Sequence, residues 1–184
     1  MKLNHTKFKA LVQESGVSAD QLASALPKKT ARRKAAQEAE KKVRNWLAGS
    51  DTPRVTAPDV IALADVLGCE VMDIARFPST ARWVRSSPRK ARLVADLVRG
   101  RSVEEAMSLL EFSPKRASVF VRKVLNAAVA DAEAADARVD RLYISESRVD
   151  EGVIIKRFQP KDRGRAHPIQ KKTSHITIAV EERA

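Results

Sequence analysis

Apolar residues recur with two different periods along this chain. Between Ser87 and Ala128 they follow the i, i+3, i+4 spacing of buried helix faces, and from Leu142 onward they alternate or cluster as in β-strands. Ser87-Pro88 predicts the start of a first helix, with Ser87 at the N-cap and Pro88 at the first helical position, where its missing N–H costs nothing. That helix carries Leu93, Val94, Leu97 and Val98 inward and stops at Gly100. Ser102 opens a second helix, Glu105 completes its capping box, and Val103, Ala106, Met107 and Leu110 face the core. Ser113-Pro114 opens a third, with Ala117, Phe120, Val121, Val124, Leu125 and Ala128 as its buried stripe.

The strand-like part follows. Leu142, Ile144, Val149, Val153, Ile154 and Ile155 form one arm, while Ile176, Ile178 and Val180 alternate with Thr177 and Ala179 in the other. Pairing them across a tip near Gly164 predicts a long hairpin over about 139–183, with up to about 18 residues per arm, or roughly 60 Å. A two-stranded ribbon of that length is marginal in water, so something outside the chain must support its distal half. Arg82-Trp83-Val84 begins a further strand-like segment, and Trp83 and Phe120 read as core residues.

The first 79 residues carry helical signals throughout. Phe8, Leu11 and Val12 mark one short amphipathic helix, and Ser18 caps a second with Gln21, Leu22 and Leu26. Val43, Trp46 and Leu47 mark the end of a third that stops at Gly49, and the Lys28–Lys42 stretch lengthens it. Val60–Leu67 forms a helix closed by Gly68, followed by Val71, Met72 and Ile74. The chain therefore divides near Phe77-Pro78-Ser79-Thr80 into a small all-α domain over 1–79 and an α+β domain over 80–184. In the second, three helices pack on a small antiparallel sheet that extends into the hairpin.

Charge changes this picture from a fold to a partner. The chain holds 35 Lys and Arg against 23 Asp and Glu, for a net charge of +12. Residues 80–184 carry 22 bases and 14 acids, net +8, against 13 and 9, net +4, in residues 1–79. Such a balance favours nucleic acid. The hairpin loop concentrates it: Lys156, Arg157, Lys161, Arg163, Arg165, Lys171 and Lys172 face one acid, Asp162, between Val153 and His175. Arg89, Lys90 and Arg92 crowd the first helix and Lys115 and Arg116 the start of the third, where side chains and backbone N–H groups can hold phosphate together.

Other chemistries find little support. His5, His167 and His175 are scattered, with no metal-ligand spacing to Cys69, so no metal or other cofactor is expected. No phosphate-binding Gly loop, nucleophile elbow or catalytic cysteine context occurs, and an enzyme is not expected. No run approaches the roughly 18 apolar residues of a membrane span, the Met1–His5 start lacks a signal-peptide core, and one cysteine cannot form an internal disulfide. A soluble, cytoplasmic protein is expected.

Several runs carry a family resemblance. They are Ser87-Pro88-Arg89-Lys90-Ala91-Arg92-Leu93-Val94, Leu97-Val98-Arg99-Gly100, Ser113-Pro114-Lys115-Arg116-Ala117, Val149-Asp150-Glu151-Gly152, Lys156-Arg157-Phe158, Arg163-Gly164-Arg165-Ala166 and Lys172-Thr173-Ser174-His175-Ile176-Thr177. In this order and spacing, residues 81–182 resemble the L22 family of bacterial large-subunit ribosomal proteins. The resemblance implies a helical and small-sheet body on ribosomal RNA, a hairpin lining the nascent-peptide tunnel, neighbouring ribosomal proteins as partners and a role in subunit assembly. It implies RNA contact at Arg82, Arg85, Arg89, Lys90, Arg92, Lys115, Arg116, Lys156, Arg157, Lys161, Arg163, Arg165, Lys171 and Lys172. Gln159 and Asp162 make the tip less basic than is usual in that family.

The helix order of residues 1–79 resembles lambda-repressor-like helix-turn-helix domains, whose third helix enters the DNA major groove. Pro27-Lys28-Lys29 stands where a short turn with glycine is usual. Arg32, Arg33, Lys34, Lys41 and Lys42 are the candidate nucleic-acid contacts there, against a solvated face balanced by Glu38 and Glu40. Two readings of this domain stand: docking onto ribosomal RNA or a ribosomal protein, and sequence-specific DNA binding by a regulator.

Overall fold

The computed structural model describes residues 1–27 and 33–183, with the backbone alone described for 33–36. The chain divides into two compact units, Met1–Phe77 with the last residues from Glu182, and Pro78–Glu181. In the first unit β1 (Lys2–Leu3) is followed by α1 (His5–Ser15), α2 (Ala19–Ala25), α3 (Arg33–Leu47), α4 (Ala57–Leu67) and α5 (Val71–Ile74). Phe8, Leu22, Val43, Trp46, Val60, Leu63 and Ile74 are fully buried and form its core. Ser18 and Gln21 make a reciprocal capping box at the start of α2, and Gly68 closes α4 in the left-handed conformation, at φ 65.

The unit is not all-α as the helical signals suggested. Lys2 and Leu3 pair antiparallel with Arg76 and Ala75 at the start of β2 (Ala75–Val84). That strand begins seven residues before Arg82, because Ala75 and Phe77 are both buried and alternate with less buried neighbours. A two-residue strand carries no readable period, which is why β1 escaped the pattern.

One polar corner ties α1 to the end of α3. His5 Nε2 lies 2.7 Å from one Asp51 carboxylate oxygen and Nδ1 2.9 Å from the Trp46 carbonyl, while Lys2 Nζ donates to the other Asp51 oxygen at 2.8 Å. Burial pushes the Asp51 carboxyl up, but the hydrogen bonds and charges of Lys2 and His5 outweigh it and leave the pKa below the ordinary carboxylate value. A lowered pKa stabilises the fold above the unfolded-state value and loses that contribution as pH falls through the folded one. Asp51→Asn is therefore expected to lower the stability of the first unit by about 0.5 kcal/mol near neutral pH. The gap to the parent closes below about pH 4. Urea unfolding followed by Trp46 fluorescence at several pH values measures it.

In the second unit α6 (Pro88–Val98), α7 (Val103–Phe112) and α8 (Arg116–Glu133) accompany a sheet in which β6 (Ser174–Glu182) lies between β2 and β3 (Leu142–Glu151). Val94, Val98, Leu125, Ile144, Ile176, Ile178 and Val180 are fully buried at the centre. The outer edge of β3 would invite foreign strands, and this chain closes it with its own groups. Gly100 N–H donates to Ile144 O at 3.0 Å, Ile144 N–H to Arg101 O at 2.9 Å, and the Arg99 guanidinium to Ser147 O at 2.6 and 3.1 Å.

Several helix details differ from the periodicity. Leu93 and Leu97 are 60% and 38% exposed, because the buried stripe of α6 is Ala91, Val94, Ala95 and Val98, the smaller residues that let the helix approach the sheet closely. At the start of α7, Ser102 Oγ accepts from Glu105 N–H, but the Glu105 carboxylate turns to the Arg101 guanidinium, so only half of the capping box forms. Ser113-Pro114 does not open α8; Lys115 is its N-cap. Proline holds the preceding residue extended, and the Ser118 hydroxyl donates back to the carbonyls of Ser113 and Lys115, which fixes the start two residues later. Met107 and Phe120 are half-buried, and Trp83 is not a core residue at all.

The hairpin is interrupted where a continuous ribbon was expected. Beyond β3 and β6, residues 152–154 and 172–173 leave the ladder, and a separate two-stranded sheet of β4 (Ile155–Pro160) and β5 (Ala166–Lys171) continues outward. Its register runs from Ile155 opposite Lys171 to Pro160 opposite Ala166, about 20 Å of paired strand. Arg163 and Gly164 turn the tip in left-handed conformations, at φ 57 and 72. At the interruption Gly152 N–H donates to Thr173 O at 3.0 Å and Thr173 Oγ1 to Val153 O at 2.7 Å. Nearly every residue of β4 and β5 is exposed, Phe158 at 73%. Among the described residues no helix is long and apolar enough to cross a membrane.

Candidate nucleic-acid interface

The Ser-Ser-Pro turn between β2 and α6 places Arg85 at the mouth of a cleft in the second unit. Ser86 and Ser87 from the same turn, Arg116 from the first residue of α8, and Gln170, Lys171 and Lys172 from the end of the distal ribbon complete its lining, around roughly 650 Å³. Four cations and no acid line it. All four are exposed, so each can reach a ligand without first breaking a buried contact. Arg116 lies 6.0 Å over the Phe120 ring, a cation–π approach that restricts its stem. The N-cap of α6, Ser87, and the first residue of α8, Arg116, both line it, and helix starts carry partial positive charge that favours anions. Ser87 occupies the N-cap of α6 without making a side-chain capping bond. Such a surface suits an anionic group, phosphate or carboxylate, better than an apolar ligand.

The structure separates the expected contact residues into groups. Arg85, Arg116, Lys171 and Lys172 meet in the cleft. Arg82, Arg89, Lys90 and Lys115 are exposed outside it, on β2, the first turn of α6 and the cap of α8. Lys156 and Arg157 stand exposed on β4, and Lys161, Arg163 and Arg165 at the tip, where Lys161 N–H donates to Arg165 O at 2.7 Å. Arg92 behaves differently: its Nε donates to Val149 O at 3.2 Å and its guanidinium lies 3.9 Å from the Glu151 carboxylate. It serves the edge of β3.

In the first unit Lys41 is exposed and Lys42 half-buried on α3. Arg33 and Lys34 belong to α3 with only their backbone described, and Arg32, Lys28 and Lys29 lie outside the described residues. Sequence reasoning missed Ser86, Ser87 and Gln170 as lining residues. Ser87 was absorbed into a helix-start signal, and Ser86 and a lone glutamine in a strand carry none. Among the described residues no group of three or more His, Cys, Asp or Glu could hold a metal ion.

Comparison with known proteins bears on this basic unit. The large ribosomal subunit protein uL22 of Lactobacillus helveticus is 50% identical over 111 residues, which span 60% of this chain and 95% of that protein. The uL22 of Lactobacillus delbrueckii subsp. bulgaricus is 54% identical over 103 residues, 55% of this chain and 88% of its own length. That of Clostridium novyi is 50% identical over 105 residues, 56% and 95% respectively. Residues 79–181, which contain the cleft, α6 to α8 and the distal ribbon, match the family described as ribosomal protein L22p/L17e, and the chain belongs to that family.

Proposed function

We propose that this chain is a component of the large ribosomal subunit that binds large-subunit ribosomal RNA through the cationic cleft and the distal ribbon. The observation that carries the reading is the acid-free cluster of Arg85, Arg116, Lys171 and Lys172 beside a ribbon exposed on both faces. A surface of this kind gains most of its affinity by releasing counterions from phosphate. The ribbon, marginal in water, gains its support from the RNA it touches. In this reading the hairpin of about 139–183 lines the nascent-peptide tunnel, neighbouring ribosomal proteins flank the body, and the protein helps the subunit assemble in the cytoplasm.

Neutralising the tip tests the ribbon's part. Arg163→Gln with Arg165→Gln is expected to weaken binding to deproteinised large-subunit RNA about five-fold and to reduce the slope of log affinity against log salt by roughly 1 to 2. Filter binding over a salt series measures both. An unchanged slope removes these two residues from the contact list.

Residues 1–79 form, in this proposal, a separate module added to the ribosomal domain of 80–184, and its role is docking onto ribosomal RNA or a neighbouring ribosomal protein. The DNA-binding alternative draws on the succession of α1 to α5, whose order resembles helix-turn-helix domains. Against it, exposed Glu38 and Glu40 accompany Lys41 on α3, and a groove-reading helix gains nothing from them. A preference of the full chain for one duplex over random DNA by a factor of about a thousand, lost on Lys41→Gln, would favour the regulator.

A further inference from the structure

Trp83 differs from the other large exposed apolar side chains among the described residues in having a left-handed backbone, at φ 60. A bulky residue pays strain there that glycine would not, and such strain persists only where surrounding structure holds it. Here the Trp83 N–H donates to His175 Nδ1 at 3.2 Å, and the two rings meet edge to face, with centroids 4.6 Å apart at 77°. An acceptor at Nδ1 puts the proton of a neutral imidazole on Nε2. A perpendicular ring covers at most one face of an indole, and with Trp83 56% exposed a broad aromatic face opens to solvent. Trp46 shows the opposite arrangement: it is fully buried, with Nε1 donating to Pro53 O at 2.9 Å.

The surroundings indicate what that face meets. Arg82 before Trp83 and Arg85 two residues after it are both exposed, and Arg85 lines the cationic cleft. His175 lies three residues beyond Lys172, which lines the same cleft. A protein partner would favour a contiguous apolar patch, whereas an aromatic face among cations suits a nucleobase with its phosphates.

We propose that Trp83 is a stacking platform for one unpaired RNA base, with a neighbouring phosphate of the same strand held in the cleft of Arg85, Arg116, Lys171 and Lys172. The strained backbone at residue 83 and the His175 contact position the indole outward for that base. The inference rests on the RNA-binding reading and names the nucleotide conformation that the site takes. A base within a regular duplex cannot expose its face, so the ligand is single-stranded, bulged or in a loop.

The test uses the full chain and deproteinised large-subunit RNA. Trp83→Ala is expected to lose affinity about ten-fold with an unchanged salt slope, because no phosphate contact is removed, while Trp83→Phe stays within about three-fold of the parent. A second readout needs no variant. Trp46 is buried, so acrylamide quenches mainly Trp83 in the free parent, and RNA binding is expected to remove that accessible emission. If the alanine variant binds as the parent does and Trp83 stays accessible in the complex, while neutralising Arg116 and Lys172 still weakens binding, stacking is overturned and RNA binding stands. If Trp83→Ala spares RNA affinity but abolishes binding to a purified ribosomal protein, the platform belongs to a protein contact and the inference falls. If the parent itself binds no large-subunit RNA, both readings fall together.

Discussion

Replacing Arg116 and Lys172 together by Gln is expected to weaken binding to large-subunit RNA about thirty-fold near physiological salt and to lower the salt slope by roughly 1.5. The two cations come from the start of α8 and the end of the distal ribbon and converge on one cleft, so a single phosphate-bearing strand can touch both. Neither is buried, and neither is an anchor of the core, so the fold should survive their loss. Arg92→Gln is the informative contrast. Its side chain holds the carbonyl of Val149 at the edge of β3, so its loss should reduce thermal stability while the salt slope stays where it was. A slope that fell equally in both would mean that the cleft has no special standing among the basic residues.

Gly152→Ala is expected to destabilise the second unit by about 2–3 kcal/mol and to loosen the junction between the body sheet and the distal ribbon. A Cβ at Gly152 would stand 2.4 Å from Thr173 Oγ1 and 3.2 Å from both the carbonyl carbon and oxygen of Thr173. The hydroxyl cannot simply swing away, because Thr173 is buried and its Oγ1 is bonded to Val153 O. The added methyl must therefore displace the backbone bond from Gly152 N–H to Thr173 O as well. Thr173→Ala by itself forfeits one hydrogen bond, about 1 kcal/mol. In the double variant the most severe clash is gone, so the two changes together should cost less than their sum. Urea unfolding gives the energies, and amide exchange at Gly152 and Ile155 reports the junction.

This junction also shows what could be read from the residues and what could not. Val149-Asp150-Glu151-Gly152 and Lys172-Thr173-Ser174-His175 were recognisable as motifs, and the expected hairpin sets them opposite each other, yet nothing in either says that their meeting interrupts the ribbon. Helix starts with a local cause, such as the Ser18–Gln21 box and Pro88 at the first position of α6, were legible because the cause lies within a few residues. The start of α8 was not, since Ser118 reaches back past the proline that marked the expected start. Leu93 and Leu97 misled because periodicity counts apolar residues without their size, and the close approach of α6 selected alanines and valines instead. Trp83 is the plainest case. Its hydrophobicity pointed inward, and only a backbone at positive φ, which composition does not announce, turns it out.

The cationic cleft was half legible. All four of its cations stood among the expected contacts, since Lys and Arg clusters are visible in any listing of charge. Which of the fourteen would converge depended on the tertiary approach of the turn after β2, the start of α8 and the end of the distal ribbon, which are far apart in sequence. Local pattern carries no information about that.

The most direct measurement is a high-salt sucrose gradient of lysate from cells that express the chain, with peptides from both units quantified by mass spectrometry in each fraction. A large-subunit protein held by phosphate contacts and by a ribbon embedded in RNA should remain with the large subunit, at about one copy, with peptides from residues 1–79 and 80–184 in equal amount. Peptides of residues 80–184 absent from the large-subunit fractions would contradict the proposed function.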